Sequence, residues 1–353
     1  MAPALSPMTA AALNTTHPPR FAMSSTPALI PVIDVASPTA EVASQLLDAA
    51  STHGFVFVSN YGAILPPEHV RSLFELSRNF FKSPREVKAE CSYQKGKNQG
   101  WVGMHTETLD PKSQKRGDFK EAFNIGEYTL SNQAPQPLPA PLAPHESQLG
   151  DFQARCHALC NHLLRLFGLA LRIPASDGGD SWFATRHDRS AGPSGSILRL
   201  LYYPALPPID STDIRAGAHS DYGSVTLLFQ QPRGQPGLEI LTRDGAWAPV
   251  PVNPTGDDAQ PPVLVNIGDL LSYWTDGLLK STVHRVVFPP PEAHEVGEDR
   301  YSIAYFCHPV DDAKLVPVPS DVVKEQGGKE GAGERTTVLT AKDHLLERLA
   351  ATY

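Results

Sequence analysis

The sequence predicts a fold that is mainly β with α, in which a double-stranded β-helix, or jelly roll, is flanked by helices from the N-terminal half. Two observations predict this fold. Helical periodicity dominates the first half, where its longest stretch is 146–172. After residue 196 the chain changes to short strand-like runs punctuated by Gly and Asp, a pattern typical of a double-sheet β structure. Eight such runs occur, at 197–203, 225–229, 238–241, 247–250, 263–267, 270–274, 283–288 and 301–306.

Changes in composition divide the chain into four parts. Residues 1–27 are rich in Ala, Ser, Thr and Pro and contain one Arg and no acid, so we expect a disordered tail rather than an amphipathic targeting helix. Residues 28–190 predict a helical and mixed region that packs on the core, and residues 191–310 predict the jelly roll itself. A loop and a closing helix are expected at 311–353.

The elements before the jelly roll have recognisable boundaries. Ser37 and Pro38 suit the N-cap and the first position of a helix. Residues 54–58 are apolar and predict a buried strand, and a second helix is expected to begin after the prolines at 66 and 67. Residues 91–135 are polar and irregular, so we predict a long loop, which in a compact protein is often functional.

The totals exclude several classes of function. The 353 residues carry a net charge of −8, which provides no electrostatic basis for binding nucleic acid or an anionic membrane. No apolar run approaches the ~18 residues of a membrane span. The four cysteines form no CxxC pair, and no secretory signal is evident, which together indicate reduced thiols. We therefore expect a cytoplasmic monomer that acts on a small molecule.

Three residues form the predicted metal site. His219 and Asp221 are separated by one residue beside a strand-like run, and side chains two apart on a strand point to the same face. His284 lies in a second strand-like run. Two imidazoles and one carboxylate, with coordination positions left open, are the arrangement that holds Fe(II) in non-haem oxygenases. A His-x-Asp pair alone is a weak signal, and the other histidines are interpreted as structural.

A second pair follows the distal histidine. Arg300 and Ser302 are two apart in the last strand-like run, so their side chains are expected on one face. A guanidinium and a hydroxyl together suit the binding of a carboxylate.

These motifs resemble the C-terminal oxygenase core of the isopenicillin N synthase-like family of Fe(II)/2-oxoglutarate dioxygenases. The family pattern is His-x-Asp, a distal His and then Arg-x-Ser. The likeness extends to Leu-Arg-Leu-Leu-Tyr-Tyr-Pro at 198–204 and to the N-terminal stretches 30–34, 53–58 and 118–123. It covers roughly residues 28–310 and combines several motifs in order, which makes it specific.

The resemblance implies a role for each matching residue. His219, Asp221 and His284 would ligate Fe(II), and Arg300 and Ser302 would bind the C5 carboxylate of 2-oxoglutarate. The reaction implied is oxidation, in the first place hydroxylation, of a C–H bond in a small molecule of specialised metabolism. Dioxygen and 2-oxoglutarate would be cosubstrates, succinate and CO2 would be products, and ascorbate could serve as reductant.

Further positions are carried over with a competing structural interpretation. Tyr203 matches a tyrosine that assists the distal carboxylate in relatives, and Phe306 matches a position that often lines the pocket, although core packing would also explain both. The chain departs from the family at Leu201, where many plant members have Asn, and in a Pro-rich insertion at 289–297. The predicted loop provides six candidates for the entrance, each more simply interpreted as structural: Gln99, Trp101, Met104, His105, Phe119 and Phe123.

Two alternatives stay open at this point. Relatives that close a ring oxidatively or form ethylene also carry Arg-x-Ser, so an Fe(II) oxidase that does not use 2-oxoglutarate has the same signature. A catalytically silent small-molecule binding protein could keep the fold, although an intact metal-ligand set argues against it.

Overall fold

The computed structural model describes residues 26–94, 96–210, 212–288, 298–326 and 338–352. All but the last two residues of the predicted tail, and the whole Pro-rich insertion at 289–297, lie outside these ranges. The described residues contain twelve strands. They are β1 Val32–Asp34, β2 Phe55–Ser59, β3 Gly100–Val102, β4 Glu121–Gly126, β5 Ile197–Tyr203, β6 Ala216–His219, β7 Val225–Gln230, β8 Leu238–Leu241, β9 Trp247–Pro249, β10 Val263–Ile267, β11 His284–Val286 and β12 Arg300–Cys307.

Helices occupy much of the first half and part of the C-terminal segment. They are α1 Ala40–Thr52, α2 Pro67–Phe81, α3 Arg85–Ala89, α4 Glu146–Ala170, α5 Trp182–Arg186, α6 Asp269–Trp274, α7 Asp321–Gln326 and α8 Ala341–Thr352. The long helix predicted at 146–172 and the closing helix are both present. Among the described helices, none combines the length and the apolar character needed to cross a bilayer.

The strands form two sheets, as the predicted double-sheet jelly roll requires. The larger sheet has the order β1-β2-β10-β7-β12-β5-β4-β3, and the smaller has the order β6-β11-β8-β9. Apart from the parallel pair β1 and β2, all strand pairs are antiparallel. Strands β1 to β4 come from the first half, so this half completes the large sheet as well as covering it with helices. The division of the chain at 190 and 310 stays a prediction.

The two faces of the large sheet belong to two separate apolar clusters. One cluster joins the outer face to helices α1, α2, α4 and α5, and it includes Phe123, Leu200 and Ile303. The other fills the space between the sheets and includes Ala122 and Leu201. Successive residues of a strand point to opposite faces, which is why neighbours in sequence fall into different clusters. The inter-sheet space is where the predicted site residues lie.

One of the eight predicted strands is a helix. Residues 270–274 form most of α6, which Gly268 precedes as the N-cap in extended conformation. Leu270, Leu271 and Trp274 are buried. A short apolar run does not distinguish a buried strand from a buried helical turn, so the prediction of a strand was wrong here. The remaining seven runs contain strands, and β6 is an additional one that the pattern did not reveal.

Two expectations for the first half also need correction. The segment 91–135 is not all loop, because β3 and β4 lie within it and pair at the edge of the large sheet. Helix α1 begins two residues later than predicted: Thr39 rather than Ser37 is the N-cap, and its hydroxyl accepts a hydrogen bond from the Val42 amide at 3.2 Å. The Thr39 hydroxyl caps the first turn in the way expected of Ser37, with the helix shifted by two residues.

Candidate active site

The two predicted histidine ligands lie opposite each other on neighbouring strands. His219 is the last residue of β6 and His284 is the first residue of β11, and the antiparallel register pairs them directly. Residues opposite each other on such strands lie close on one face. Their ring centroids are 4.4 Å apart. Strand pairing therefore brings together two residues that are far apart in the sequence.

Asp221 joins them from outside the strand. It follows β6 in the connection to β7, so the expectation that His219 and Asp221 share one face of a strand was wrong. Its Oδ1 nevertheless lies 3.8 Å from Nε2 of His219 and 3.7 Å from Nε2 of His284. One ligand atom from each residue lies within 4.8 Å of the others. We call His219, Asp221 and His284 the metal triad.

Backbone carbonyls orient both imidazoles. Nδ1 of His219 is 2.7 Å from the Gly217 carbonyl oxygen, and Nδ1 of His284 is 3.2 Å from the Thr282 carbonyl oxygen. A carbonyl only accepts, so Nδ1 carries the proton in each neutral ring and Nε2 carries the lone pair. Both lone pairs face Asp221. A hydrogen bond from the ring nitrogen that does not face the metal fixes the tautomer and the direction of a metal-ligating histidine.

The carboxylate is oriented in the same way. Oδ2 of Asp221 accepts hydrogen bonds from Thr226 Oγ1 and Asn266 Nδ2, both at 2.7 Å, which leaves Oδ1 toward the imidazoles. Burial alone raises the pKa of Asp221, but the two imidazoles and these two bonds outweigh it and lower that pKa. Asp221 is therefore ionised at neutral pH.

Burial and the neighbouring His284 lower the pKa of His219 to about 3, so its imidazole is neutral at pH 7. Metal ligands must be deprotonated imidazole or carboxylate. Two histidines and one carboxylate fit Fe(II) in the softness and charge of their donor atoms. The residues present thus fit the metal that the sequence predicts.

The predicted carboxylate-binding residues line the same cavity as the metal triad. Arg300, Ser302 and Tyr203 all face it, and each is at most 3% exposed. Arg300 and Tyr203 are opposite each other on β12 and β5, and the guanidinium carbon lies 4.8 Å from the centroid of the tyrosine ring. Nη1 of Arg300 is 3.5 Å from Ser302 Oγ. A guanidinium, a hydroxyl and a phenol therefore converge at one end of the cavity.

Two glutamines hold the Arg300 side chain in place. Its Nε donates to the main-chain oxygen of Gln235 and its Nη2 donates to Oε1 of Gln230, both at 3.2 Å. These two hydrogen bonds fix the orientation of the guanidinium, whose Nη1 is directed toward Ser302. Burial lowers the pKa of Arg300, although an arginine remains a cation under all ordinary conditions.

A buried charge network that the sequence analysis missed also lines this cavity, through Lys120 and Arg199. Lys120 contacts Asp118 and lies 2.8 Å from Glu107, whose Oε2 also accepts from Arg199 Nη2 at 2.8 Å. Asp118 additionally accepts from the backbone amide of Gly217 at 3.1 Å, which ties this network to β6. Burial alone lowers the pKa of Lys120, but the two carboxylates outweigh it and raise that pKa. Lys120 is therefore a cation at neutral pH, and the network pairs two cations with two carboxylates.

Strand periodicity could have identified part of this network. Arg199, Leu201 and Tyr203 alternate along β5 and line the cavity together. Counting back in steps of two from the predicted Tyr203 therefore leads through Leu201 to Arg199. Lys120 lies in the 118–123 motif, which was noted only as a family mark. Its partner Glu107 comes from irregular backbone and has no comparable signal in the sequence.

A second cavity continues from the metal triad toward the C-terminal helix. It shares His219 and Asp221 with the first cavity, and further residues line it: Asn98, Glu107, Leu109, Arg199, Tyr222, Phe306, His308, Leu345 and Leu349. Arg348 anchors α8 there, with Nη2 3.0 Å from Asp269 Oδ2 and 3.1 Å from Ser220 Oγ. The closing helix is thus a wall of the site.

The candidates named from the predicted loop are not the residues that face these cavities. None of Gln99, Trp101, Met104, His105, Phe119 and Phe123 lines either cavity that contains the metal triad. Phe119 and Phe123 are buried, and Trp101 donates to Glu121 at 2.8 Å. Their neighbours Asn98, Glu107 and Leu109 do line the second cavity. Phe306, for which packing was the simpler interpretation, lines both.

Comparison with known proteins places this geometry in a family. Residues 194–309 match the 2OG-Fe(II) oxygenase superfamily, and residues 30–145 match the N-terminal region described as non-haem dioxygenase in morphine synthesis. The UPF0676 protein C1494.01 of Schizosaccharomyces pombe is 34% identical over 335 residues, 92% of each chain. The proline hydroxylase buaE of Petromyces alliaceus is 33% identical over 281 residues, 76% of this chain and 82% of its own.

Solved structures agree with the sequence relatives. A full-length Neurospora crassa protein in complex with alpha-KG and thymine superposes with a TM-score of 0.73 at 31% identity, covering 95% of this chain and 100% of that one. A putative 2OG-Fe(II) oxygenase family protein from Caulobacter crescentus gives a TM-score of 0.72 at 27% identity, covering 92% and 99%. The chain therefore belongs to the isopenicillin N synthase-like family of Fe(II)- and 2-oxoglutarate-dependent dioxygenases.

Proposed function

We propose that the metal triad holds Fe(II) and that Arg300, with Ser302 and Tyr203, holds the C5 carboxylate of 2-oxoglutarate. The observation that carries this assignment is one cavity with a two-histidine, one-carboxylate donor set and a buried guanidinium. A dicarboxylate chelating the metal through its 2-oxo acid end would present its other carboxylate toward such a guanidinium. The bidentate geometry of arginine suits that contact.

The residues of the chain position and desolvate the reactants. Bound Fe(II) with 2-oxoglutarate and dioxygen supplies the oxidising power, and the overall reaction converts a C–H group, 2-oxoglutarate and O2 into an alcohol, succinate and CO2. Thr226 and Asn266 keep the Asp221 carboxylate directed at the metal position. Leu345 and Leu349 from α8, with Phe306, line the second cavity beside the triad, where their apolar surface excludes water.

The second cavity supports a small substrate that is neutral overall and has one polar edge. Glu107 and Arg199 line this cavity together with apolar residues of α8 and β12, and the network in which they pair with Lys120 and Asp118 is balanced in charge. A balanced pair of charges offers donors and acceptors without favouring a charged ligand. Thymine, the compound named for the Neurospora crassa complex, has such an edge. We propose that this enzyme hydroxylates a compact molecule of that kind.

The test is turnover of purified protein with Fe(II), ascorbate and 2-oxoglutarate against thymine, uracil, L-proline and other small metabolites. We expect a neutral member of the set to stimulate succinate release in step with an oxidised product seen by mass spectrometry. His284→Ala should abolish both signals. His69→Ala, which alters a half-buried histidine outside both cavities, should retain them. Oxygen consumption and product without succinate would instead favour the oxidase that does not use 2-oxoglutarate.

We also propose that the protein is a monomer in a reducing, cytoplasmic environment. All four cysteines are free, and three of them are buried in the helix-side core. Light scattering of the purified protein checks the first part, and a mass of two chains would contradict it. Imaging of a tagged chain checks the second part.

A further inference from the structure

A second buried guanidinium lies beside Arg300. Arg215 is 3% exposed, as Arg300 is, and it precedes β6. Gln235 joins the two side chains: its Oε1 accepts from Arg215 Nη1 at 3.0 Å, and its main-chain oxygen accepts from Arg300 Nε at 3.2 Å. The guanidinium carbon of Arg215 also lies 5.3 Å from the centroid of the Phe288 ring. Arg215 does not itself line the cavity and was not among the predicted site residues.

Two neighbouring cations in a dry site oppose each other. Burial and the charge of Arg300 lower the pKa of Arg215 to about 10, so both remain charged at neutral pH. Among the described residues, neither guanidinium forms an ion pair with a carboxylate. Asp299 favours the charge of Arg215 from a distance, but its own carboxylate accepts from the Tyr202 hydroxyl and the Ala205 amide.

Buried cations without a bonded anion destabilise the folded protein, and binding of an anion beside them would offset their repulsion. An anion held by Arg300 would lie within the field of both charges, because low dielectric surroundings screen them weakly.

We propose that Arg215 is a positioning residue of the cosubstrate pocket, where its charge, held beside Arg300 by Gln235, strengthens binding of the C5 carboxylate of 2-oxoglutarate. This inference rests on the proposed function, since it takes Arg300 as the direct partner of that carboxylate. Arg215 acts through space and through Gln235. The consequence is that the pocket discriminates by charge more strongly than a single arginine would.

The experiment measures binding to the Fe(II) protein without oxygen, through the visible absorption of the iron–2-oxo acid chelate. Two ligands are compared: 2-oxoglutarate, and 2-oxopentanoate, which has the same carbon chain without the C5 carboxylate. Arg215→Gln should weaken 2-oxoglutarate binding on the order of tenfold, about one decade in Kd, and leave 2-oxopentanoate nearly unchanged. Arg215→Lys keeps the charge and should recover most of the affinity.

Arg233→Gln is the matched control, because it removes a charge from the same loop as Gln235 at a side chain that is 89% exposed. Water screens such a charge, so the affinity for both ligands should equal that of wild type. Equal 2-oxoglutarate affinity in Arg215→Gln and wild type would overturn the inference. A parallel loss for both ligands, or a Lys variant as weak as the Gln variant, would also overturn it by indicating a structural role. Failure of wild type to bind 2-oxoglutarate would remove the proposed function itself.

Discussion

The large sheet presents two faces that are equally buried and chemically different. Along β12, Tyr301, Ile303 and Tyr305 face the helices and are at most 5% exposed. Arg300 and Ser302 alternate with them, face the smaller sheet and are at most 3% exposed. Burial alone therefore does not separate structural from functional residues here. The chemical type of the buried group does.

The difference is energetic as well as chemical. Burying an aliphatic or aromatic side chain lowers the free energy of the folded state, whereas burying a cation without a paired anion raises it. The helix-side face therefore provides stability, and the inter-sheet face gives up stability in order to bind charged ligands. Substitutions on the two faces should have separable effects, and four of them test this, from the largest expected effect to the smallest.

Asp221→Ala tests the inter-sheet face at its centre. The variant removes the one carboxylate of the metal triad and leaves Thr226 and Asn266 without their acceptor. Turnover should be abolished and Fe(II) affinity should fall by roughly 100-fold or more, since even partners of metal ligands matter 10–100-fold. Anaerobic equilibrium dialysis with Fe(II) measures the loss. Wild-type iron affinity in the variant would contradict the assignment of this ligand.

Arg300→Ala tests the far end of the same cavity. Truncating one side of a desolvated charge pair costs about 2–5 kcal/mol, so the Kd for 2-oxoglutarate should rise by roughly 30-fold or more. Arg300→Lys should bind 2-oxoglutarate more weakly than wild type because an ammonium lacks the planar fork of a guanidinium. Ser302→Ala should lose less affinity for 2-oxoglutarate than either arginine variant. Anaerobic titration of the Fe(II) protein measures all three. Fe(II) affinity should change little, and a parallel loss of iron would point to a disturbed fold instead.

Ile303→Ala is the matched substitution on the opposite face of β12. Ile303 is fully buried against the helices, and removing its aliphatic carbons leaves a cavity. The free energy of unfolding should fall by about 2–5 kcal/mol, as measured by urea denaturation. The Kd for 2-oxoglutarate should stay close to that of wild type under folding conditions. If it rose as far as in Arg300→Ala, the separation of the two faces would fail.

His308→Leu tests a buried imidazole that lines the second cavity. Burial and the neighbouring His344 and His187 lower the pKa of His308 to about 3. In the window from pH 6.5 down to 3 the unfolded chain binds a proton that the folded protein does not, so stability falls as pH falls. At pH 5.5 this one group contributes a loss on the order of 1 kcal/mol relative to pH 7.5. Between pH 7.5 and 5.5 the free energy of unfolding of the metal-free variant, measured with urea, should fall by that much less than for the metal-free wild type. An unchanged dependence of this free energy on pH would refute the lowered pKa of His308.

Much of the site followed from spacing along the chain. Ligand chemistry restricts residue type, which singled out His219, Asp221 and His284, and strand periodicity predicted that Arg300 and Ser302 share one face. The same periodicity along β5 leads from Tyr203 to Arg199. The long helix α4 and seven of the eight strand-like runs were likewise predictable, since an apolar pattern of sufficient length reports local structure directly.

Tertiary structure decided the remaining features. The pairing of β6 with β11 places His219 against His284. Asp221 lies in the connection between β6 and β7, and not on a strand. Residues 270–274 became helix α6 because a short apolar run permits either element, and packing chose between them. Glu107, Leu345 and Leu349 reach the cavities from irregular backbone and from α8. The physical reason is that local pattern encodes which face of an element is buried, whereas only the packed chain determines what that face meets.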